Sequence, residues 1–255
     1  MNILAIGDIV GEGGVNYTLA KIDGIIKKYN IDFVIANAEN AASGNGITKD
    51  IAQKLINSQV DVITLGNHAF SKKDVVNLLL NMPVIRPINY PEKTVGEGFC
   101  IKEKNGKKIA VVNAMGRLNL LNIDCPFKTT MKKVSQLKEK CDIIIVDFHA
   151  EATSEKIAFA NYLDSHVTAV YGTHTHVQTA DERILPEGTA YITDIGMTGC
   201  IDSVLGVRKD IIIRRFLTQM PEKFCQAEGK NELCGVVFEI DDNTNKCVNV
   251  IRVKE

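Results

Sequence analysis

The amino-acid sequence predicts an α/β protein in which two stacked sheets have helices on their outer faces. In the first half, segments typical of buried strands alternate with helix-like segments of about 10–15 residues, which indicates βαβ units and a mostly parallel sheet. Farther along, Asn105-Gly106 separates two strand-like segments and predicts a hairpin. A second antiparallel pair is predicted at the end of the chain. Antiparallel pairs added to a βαβ core favour two sheets over one.

Buried strands are predicted where apolar residues run together, and helices where apolar residues recur with a helical period. The predicted strands are 2–7, 33–37, 61–65, 99–103, 108–113, 142–148, 167–171, 189–193, 235–240 and 246–253. The predicted helices are 15–29, 49–58, 72–81, 131–140, 154–163 and 209–217. Ser43-Gly44-Asn45-Gly46 is predicted to be the loop before the second helix.

The predicted elements show no linker, repeat or low-complexity run between them, so one domain spanning 1–255 is expected. Two irregular segments, 119–127 and 173–202, are predicted to be cap or lid loops. Long irregular loops in a compact domain usually serve function or are mobile.

The composition excludes several classes of protein. The chain has 255 residues, a net charge of -1, 45% hydrophobic residues and 24% charged residues, which excludes disordered and collagen-like chains. A nearly neutral chain has no overall attraction for nucleic acid or an anionic membrane, so strong nucleic-acid binding is not expected. The apolar runs are much shorter than the roughly 20 residues of a membrane span.

The N-terminus lacks the pattern of a signal peptide, and the seven cysteines are scattered without a Cys-x-x-Cys pair. Disulfides and a zinc–thiolate site are therefore not expected. A cytoplasmic protein with reduced thiols is expected instead. The sequence leaves the oligomeric state open, and a homo-oligomer is compatible with it.

Chemically active side chains come at the ends of five predicted strands. They are Asp8, Glu39, Asn40, Asn67, His68, His149, His174 and His176. The carboxyl ends of parallel strands lie along one edge of a sheet, so these groups are expected to converge. Carboxylate, amide and imidazole groups together suit divalent metals. At least seven potential ligands are too many for one tetrahedral site but enough for two bridged metals.

Each of these residues taken alone has a simpler interpretation. Asp8 or Asn40 could be a turn or helix-capping residue, and a single histidine more often has a structural role. Four of the five histidines, however, lie at strand ends, whereas His166 precedes a strand and is predicted to lie at the surface. The glycines between Gly7 and Gly14 match no phosphate-loop pattern and predict a tight turn. The combination favours a metal site.

The ordered set of motifs resembles the calcineurin-like metallophosphoesterase superfamily. The motifs are Gly7-Asp8, Glu39-Asn40, Gly66-Asn67-His68, His149 and Gly172-Thr173-His174-Thr175-His176. Within it, the chain is similar to the YmdB-like branch, whose members are described as 2′,3′-cyclic-nucleotide phosphodiesterases. The similarity runs nearly end to end, with long matching strings at 37–42, 149–156, 172–181 and 191–199. It implies a four-layer α/β/β/α sandwich of two mixed sheets with helices outside.

The chain departs from the superfamily at its first two motifs. The first is normally Asp-x-His, but here it is Asp8-Ile9-Val10, and Glu39 stands where aspartate is usual. The resemblance implies that Asn40 takes the vacated coordination position. An oxygen-rich site with histidines accepts iron or manganese readily. Two divalent or mixed-valence ions are therefore expected, with iron as the first choice and manganese or zinc as alternatives.

The resemblance also implies a role for each residue. Asp8, Glu39, Asn40 and His176 would hold the first metal, and Glu39, Asn67, His149 and His174 the second. A hydroxide activated by both metals would attack the phosphorus of a small cyclic nucleotide, and His68 would protonate the leaving ribose oxygen as a general acid. Two alternatives stay open. One is a phosphomonoesterase, such as a nucleotidase or phosphoprotein phosphatase, and the other is a metal-dependent regulatory protein with weak turnover.

Overall fold

The computed structural model describes residues 1–43 and 45–255, so Gly44 of the predicted 43–46 loop lies outside the described residues. The helices are α1 Gly11–Tyr29, α2 Lys49–Asn57, α3 Val75–Asn81, α4 Pro126–Leu137, α5 Thr153–Tyr162 and α6 Lys209–Thr218. The first seven strands are β1 Asn2–Ile6, β2 Asp8–Ile9, β3 Phe33–Asn37, β4 Val62–Thr64, β5 Val84–Ile85, β6 Phe99–Lys104 and β7 Lys107–Met115. The others are β8 Ile143–His149, β9 Ala169–Thr173, β10 Arg183–Ile184, β11 Ala190–Ile192, β12 Met197–Cys200, β13 Asn231–Ile240 and β14 Cys247–Lys254.

The strands form two mixed sheets. One has the order β2-β12-β13-β1-β3-β4-β5, with β14 beside β13, and the other has the order β10-β11-β9-β8-β7-β6. In the first sheet β1, β3, β4 and β5 run parallel, as they do in βαβ units. In the second sheet β7, β8, β9 and β11 run parallel. Each sheet therefore has a set of carboxyl ends on one edge.

Three buried apolar clusters separate four layers. One cluster joins the outer face of the first sheet to α1, α2 and α3. A second lies between the sheets and includes Ile35, Val111 and Phe238. A third joins the outer face of the second sheet to α4 and α5 through residues such as Phe148 and Phe159. The predicted α/β/β/α sandwich is confirmed.

The parallel strands are buried on both faces because helices or the other sheet cover them. All seven residues of β8 are buried, which agrees with the apolar run 143–146 at its start. In the described residues, no helix is both long and apolar enough to cross a membrane.

The helix that follows the predicted glycine turn begins earlier than expected. Gly11–Gly14 form the first turn of α1, so this helix begins four residues earlier than expected. A Cβ at Gly14 would overlap the carbonyl oxygen of Thr198, so the absent side chain lets α1 pack closely on β12. The glycines therefore serve helix packing as well as turning.

Two other boundaries also differ. Helix α4 begins at Pro126 instead of 131, because proline fits the first turn of a helix, and the last two residues of the predicted 119–127 loop are helical. The 173–202 segment holds three short strands where one was predicted. Of these, β11 pairs in the second sheet and β12 in the first, so the segment passes between the sheets. Strands of two to four residues have too little sequence for a periodic pattern.

Candidate metal centre and its cavity

The structure brings together all seven residues predicted as metal ligands. Each lies in or directly after a strand at the carboxyl edge of the sheets. Asp8 lies in β2, Glu39 and Asn40 follow β3, Asn67 follows β4, His149 ends β8, and His174 and His176 follow β9. The parallel direction of the central strands accounts for this convergence.

Short distances link the seven side chains into one network. Glu39 Oε1 lies 3.1 Å from His149 Nε2, which lies 2.9 Å from Asn67 Oδ1 and 3.1 Å from His174 Nδ1. Asn40 Nδ2 lies 3.1 Å from Glu39 Oε1 and 3.3 Å from His176 Nε2. His176 Nε2 lies 3.8 Å from Asp8 Oδ1. Glu39 is at the centre of the network.

The backbone around His174 and His176 is unusual. Both residues have positive φ, 95° and 63° respectively, a conformation that non-glycine residues seldom adopt. The buried Asp194 holds the residue between them, because its Oδ2 accepts hydrogen bonds from the Thr175 amide and hydroxyl. Lys156, which is 1% exposed, pairs with the same oxygen at 2.7 Å. This buried ion pair fixes the loop that places the two imidazoles.

A second buried group orients His149. Thr173 Oγ1 donates to Asp147 Oδ1 at 2.7 Å, so the same hydroxyl oxygen accepts from His149 Nδ1 at 2.9 Å. Thr64 and Asn37 donate to the other Asp147 oxygen. With its Nδ1 proton held in this way, His149 presents Nε2 to Glu39 and Asn67.

Electrostatics at the site favour bound positive charge. Burial opposes ionisation of Glu39, but the charge and hydrogen bond of His149 outweigh it and lower the pKa of Glu39 to about 2. Burial likewise opposes protonation of His149, but Glu39 raises its pKa to about 9. Burial and then the neighbouring His149 lower the pKa of His174 to about 3, so His174 is neutral near pH 7. Burial raises the pKa of Asp147 to about 6.

Several features of the site fit a metal ion. Within the described residues, Asp8 Oδ1 is a buried carboxylate oxygen with no hydrogen-bond partner. Ligand atoms of Glu39, His149 and His174 all lie within 4.8 Å of one another. A Cβ at Gly66 would overlap both His149 and Glu39, so the glycine lets the backbone pass close to these two side chains. Oxygen and imidazole donors together suit iron, manganese or zinc.

His68 lies beside this network. Its backbone amide donates to Glu39 Oε2 at 3.0 Å, and its half-buried ring lies 3.2 Å from the Asn45 side chain. His166 has no part in the network. It lies near the surface, where Lys138 contacts its ring at 3.2 Å.

The site lies at one side of a cavity of about 750 Å³. Its lining includes Glu39, Asn40, His68, His174 and His176, together with residues between Leu205 and Glu228. The volume is within the usual range for small-molecule sites.

Sequence reasoning did not assign four residues that support the site. Asp147, Lys156 and Asp194 are buried polar groups, and Glu151 Oε2 lies 3.0 Å from His174 Nε2. Asp147 could have been suspected, because an acid inside an otherwise apolar strand needs a buried partner. The other three gave no local signal, since their partners are distant in sequence.

Comparison with known proteins agrees with this architecture. A family model described as YmdB-like protein matches residues 4–253. A 2′,3′-cyclic-nucleotide 2′-phosphodiesterase from Bacillus subtilis (strain 168) is 47% identical over 254 residues, covering 99% of this chain and 96% of that relative. The crystal structure of a phosphatase from Mycoplasma pneumoniae is 37% identical with a TM-score of 0.94, and the match covers 100% of this chain and 93% of that one.

A more distant likeness concerns the fold alone. The crystal structure of a 5′-nucleotidase precursor from Thermus thermophilus has a TM-score of 0.61 at 11% identity, and the match covers 100% of this chain and 54% of that one. The two-sheet sandwich is thus the metallophosphoesterase fold found in nucleotidases. Because the family model spans nearly the whole sequence, the chain belongs to the YmdB-like protein family.

Proposed function

We propose that the protein is a metal-dependent phosphodiesterase that hydrolyses 2′,3′-cyclic nucleotides. The main observation is the network of seven carboxylate, amide and imidazole side chains at one side of a cavity sized for a nucleotide. The name of the B. subtilis relative supports the substrate class, since that protein is 47% identical over nearly the whole chain.

Two metals would be held by overlapping sets of residues. Asp8, Glu39, Asn40 and His176 would hold the first, and Glu39, Asn67, His149 and His174 the second. Bound divalent ions would lower the pKa of water and offset the charge of the phosphodiester. Because the site has two carboxylates and several neutral donors, we propose iron, with manganese or zinc as alternatives.

The chain itself would orient the ligands and move one proton. Asp147 and Thr173 hold His149 so that Nε2 faces the site. In the proposed reaction an oxygen from water bonds to phosphorus as the bond from phosphorus to one ribose oxygen breaks. His68 donates a proton to that oxygen, which leaves as a hydroxyl, and the product is a nucleoside monophosphate.

A substrate panel tests this function. The purified protein, with added iron or manganese, would be offered 2′,3′-cyclic AMP, 3′,5′-cyclic AMP, a linear diester and 5′-AMP. We expect the fastest turnover with 2′,3′-cyclic AMP, because its five-membered ring is strained. Glu39→Ala should lose metal by elemental analysis and lose activity, whereas Glu103→Ala, at an exposed position on β6, should lose neither.

A phosphomonoesterase is the second candidate. It is favoured by the likeness to the M. pneumoniae protein, whose structure is described as that of a phosphatase. Monoester turnover much faster than that of any cyclic diester would replace the proposed function with this one. An unchanged metal content in Glu39→Ala would remove Glu39 from the proposed ligand set.

A further inference from the structure

The cavity that contains the histidines also has an exposed aromatic side chain in its lining. Phe224 lines the cavity and is 47% exposed, although it is a large apolar residue. Apart from the histidines, Phe224 is the only aromatic residue among the described residues that line this cavity. Small-molecule sites commonly combine aromatic side chains with a few polar groups in one cavity.

Helix α6 fixes the position of this ring. The Arg215 guanidinium carbon lies over the Phe224 ring, 4.9 Å from its centroid, and Arg215 does not line the cavity. Arg214 pairs with Glu222 at 2.5 Å, two residues before Phe224. One face of the ring is therefore occupied by arginine, which leaves the other face for the cavity.

The backbone after Phe224 is also held. Cys225 accepts a hydrogen bond from the Arg208 amide at 3.0 Å, and Ala227 donates to Gly206 at 2.9 Å. These bonds join the segment containing Phe224 to the segment containing Leu205, whose carbonyl lies 3.1 Å from His176 Nδ1. Hydrogen bonds thus connect the segment containing Phe224 to the proposed metal site.

We propose that Phe224 is the stacking platform for the nucleobase of the substrate, with Arg215 supporting the ring from behind. This inference rests on the proposed function and adds base recognition to it. Stacking on an aromatic ring tolerates every base, because all bases have a π-face. The protein should therefore prefer nucleotides over sugar phosphates without a base, and purines over pyrimidines because their rings overlap Phe224 more.

The test compares two substrates that differ only in the base. These are 2′,3′-cyclic AMP and methyl β-D-ribofuranoside 2′,3′-cyclic phosphate, and the measured quantity is the ratio of their kcat/KM values. Phe224→Ala should reduce this ratio by roughly 5- to 150-fold, the range for loss of one base-stacking contact. The change should come mainly from a higher KM for 2′,3′-cyclic AMP. Phe224→Tyr should keep the wild-type ratio, since tyrosine also has an aromatic ring.

A matched control is available on α6. Phe216 is 74% exposed and does not line the cavity, so Phe216→Ala should keep the wild-type ratio. An unchanged ratio in Phe224→Ala, or an equal fall in Phe216→Ala, would overturn the platform while leaving the phosphodiesterase intact.

Failure of the proposed function gives a different result. In that case the wild type would cleave neither cyclic ester but would cleave monoesters. The same variants would then be compared on adenosine 3′-monophosphate and methyl β-D-ribofuranoside 3-phosphate. A ratio that falls in Phe224→Ala alone supports the platform, and an unchanged ratio overturns it.

Discussion

At the scale of single residues, His149 has two different neighbours on its two ring nitrogens. Nδ1 contacts the Thr173 hydroxyl, which donates to Asp147, and Nε2 lies 3.1 Å from Glu39. The first contact fixes the orientation of the ring. The second makes the protonation of His149 depend on Glu39. This dependence affects the stability of the protein when a chelator removes metal.

The metal-free protein should lose stability as pH rises from 6.5 to 9. Glu39 raises the pKa of His149 to about 9 in the folded chain, above the ordinary value of 6.5. Stabilisation from a raised pKa is fully present below the unfolded value and is lost as pH rises through the folded value. Glu39, with a pKa of about 2, stays ionised throughout this range.

The measurement is the melting temperature of chelator-treated wild type and His149→Ala at several pH values. The difference between the two should shrink from pH 6.5 to 9. Phe216→Ala removes no titrating group, so its difference from wild type should stay flat. A wild-type advantage over His149→Ala that is constant or grows with pH would contradict the expectation.

His68 should affect catalysis without affecting metal content. Its ring lines the cavity, and only its backbone amide contacts Glu39. As a general acid, it should contribute about 10²–10⁴-fold when the leaving group is a poor one such as a ribose oxygen. His68→Ala should therefore lose that much activity on 2′,3′-cyclic AMP. It should lose much less on a p-nitrophenyl ester, because the p-nitrophenolate leaving group departs without protonation.

The matched control for this test is His166→Ala, because His166 contacts Lys138 in a different cleft. It should leave both activities near wild type. Equal losses on both substrates in His68→Ala, with metal content intact, would argue against the acid role. Loss of metal would make His68 a ligand or a support for one.

At the scale of elements, the end of β4 must approach the site very closely. Gly66 follows this strand, and a Cβ there would overlap His149 Nε2 and Glu39 Oε2. Gly66→Ala should therefore displace two proposed ligands and reduce activity by roughly 100-fold, the order expected for a misplacement of about 1 Å. Metal content by elemental analysis should fall with it.

Gly24→Ala is the same substitution without the clash. Nothing lies within 4 Å of a Cβ at this position in α1. Alanine in a helix interior is more stable than glycine by roughly 0.5–1 kcal/mol, so this variant should gain stability and keep its activity. Full metal content and activity in Gly66→Ala would show that the strand end has more room than the structure indicates.

At the scale of the whole molecule, the two sheets share one apolar layer. Phe238 on β13 is fully buried in this layer, 6.1 Å from the Tyr171 ring of the opposite sheet. We propose that the chain therefore unfolds as one domain. Phe238→Ala should lower the free energy of unfolding by about 3–5 kcal/mol, the usual cost of removing a buried phenylalanine side chain.

Guanidinium unfolding, followed by far-UV circular dichroism and tyrosine fluorescence, checks this expectation. Both signals should show one transition, and Phe238→Ala should shift both to lower denaturant together. Phe216→Ala, at an exposed position, should change stability by no more than about 0.5 kcal/mol. Two separate transitions, of which Phe238→Ala shifts only one, would contradict the single-domain proposal.

The sequence predicted the fold class and the residues that converge because both leave local patterns. Buried parallel strands such as β3 and β8 begin with runs of four apolar residues, and the residues that follow them, such as Glu39 and Asn40, fall on one edge by topology alone. Short strands such as β12 were missed, because four residues that include a glycine show no period.

Local patterns along the chain therefore specify the sandwich and the set of chemically active side chains at its carboxyl edge. How those side chains are held, and which residues share their cavity, depends on tertiary contacts. The Lys156–Asp194 pair joins residues 38 positions apart, and Asp147 contacts Asn37 across 110 positions. Phe224 and His68 line the same cavity only because tertiary contacts bring distant segments of the chain together. Contacts between distant positions leave no periodic pattern in a single sequence, since nothing in the local backbone specifies the partner.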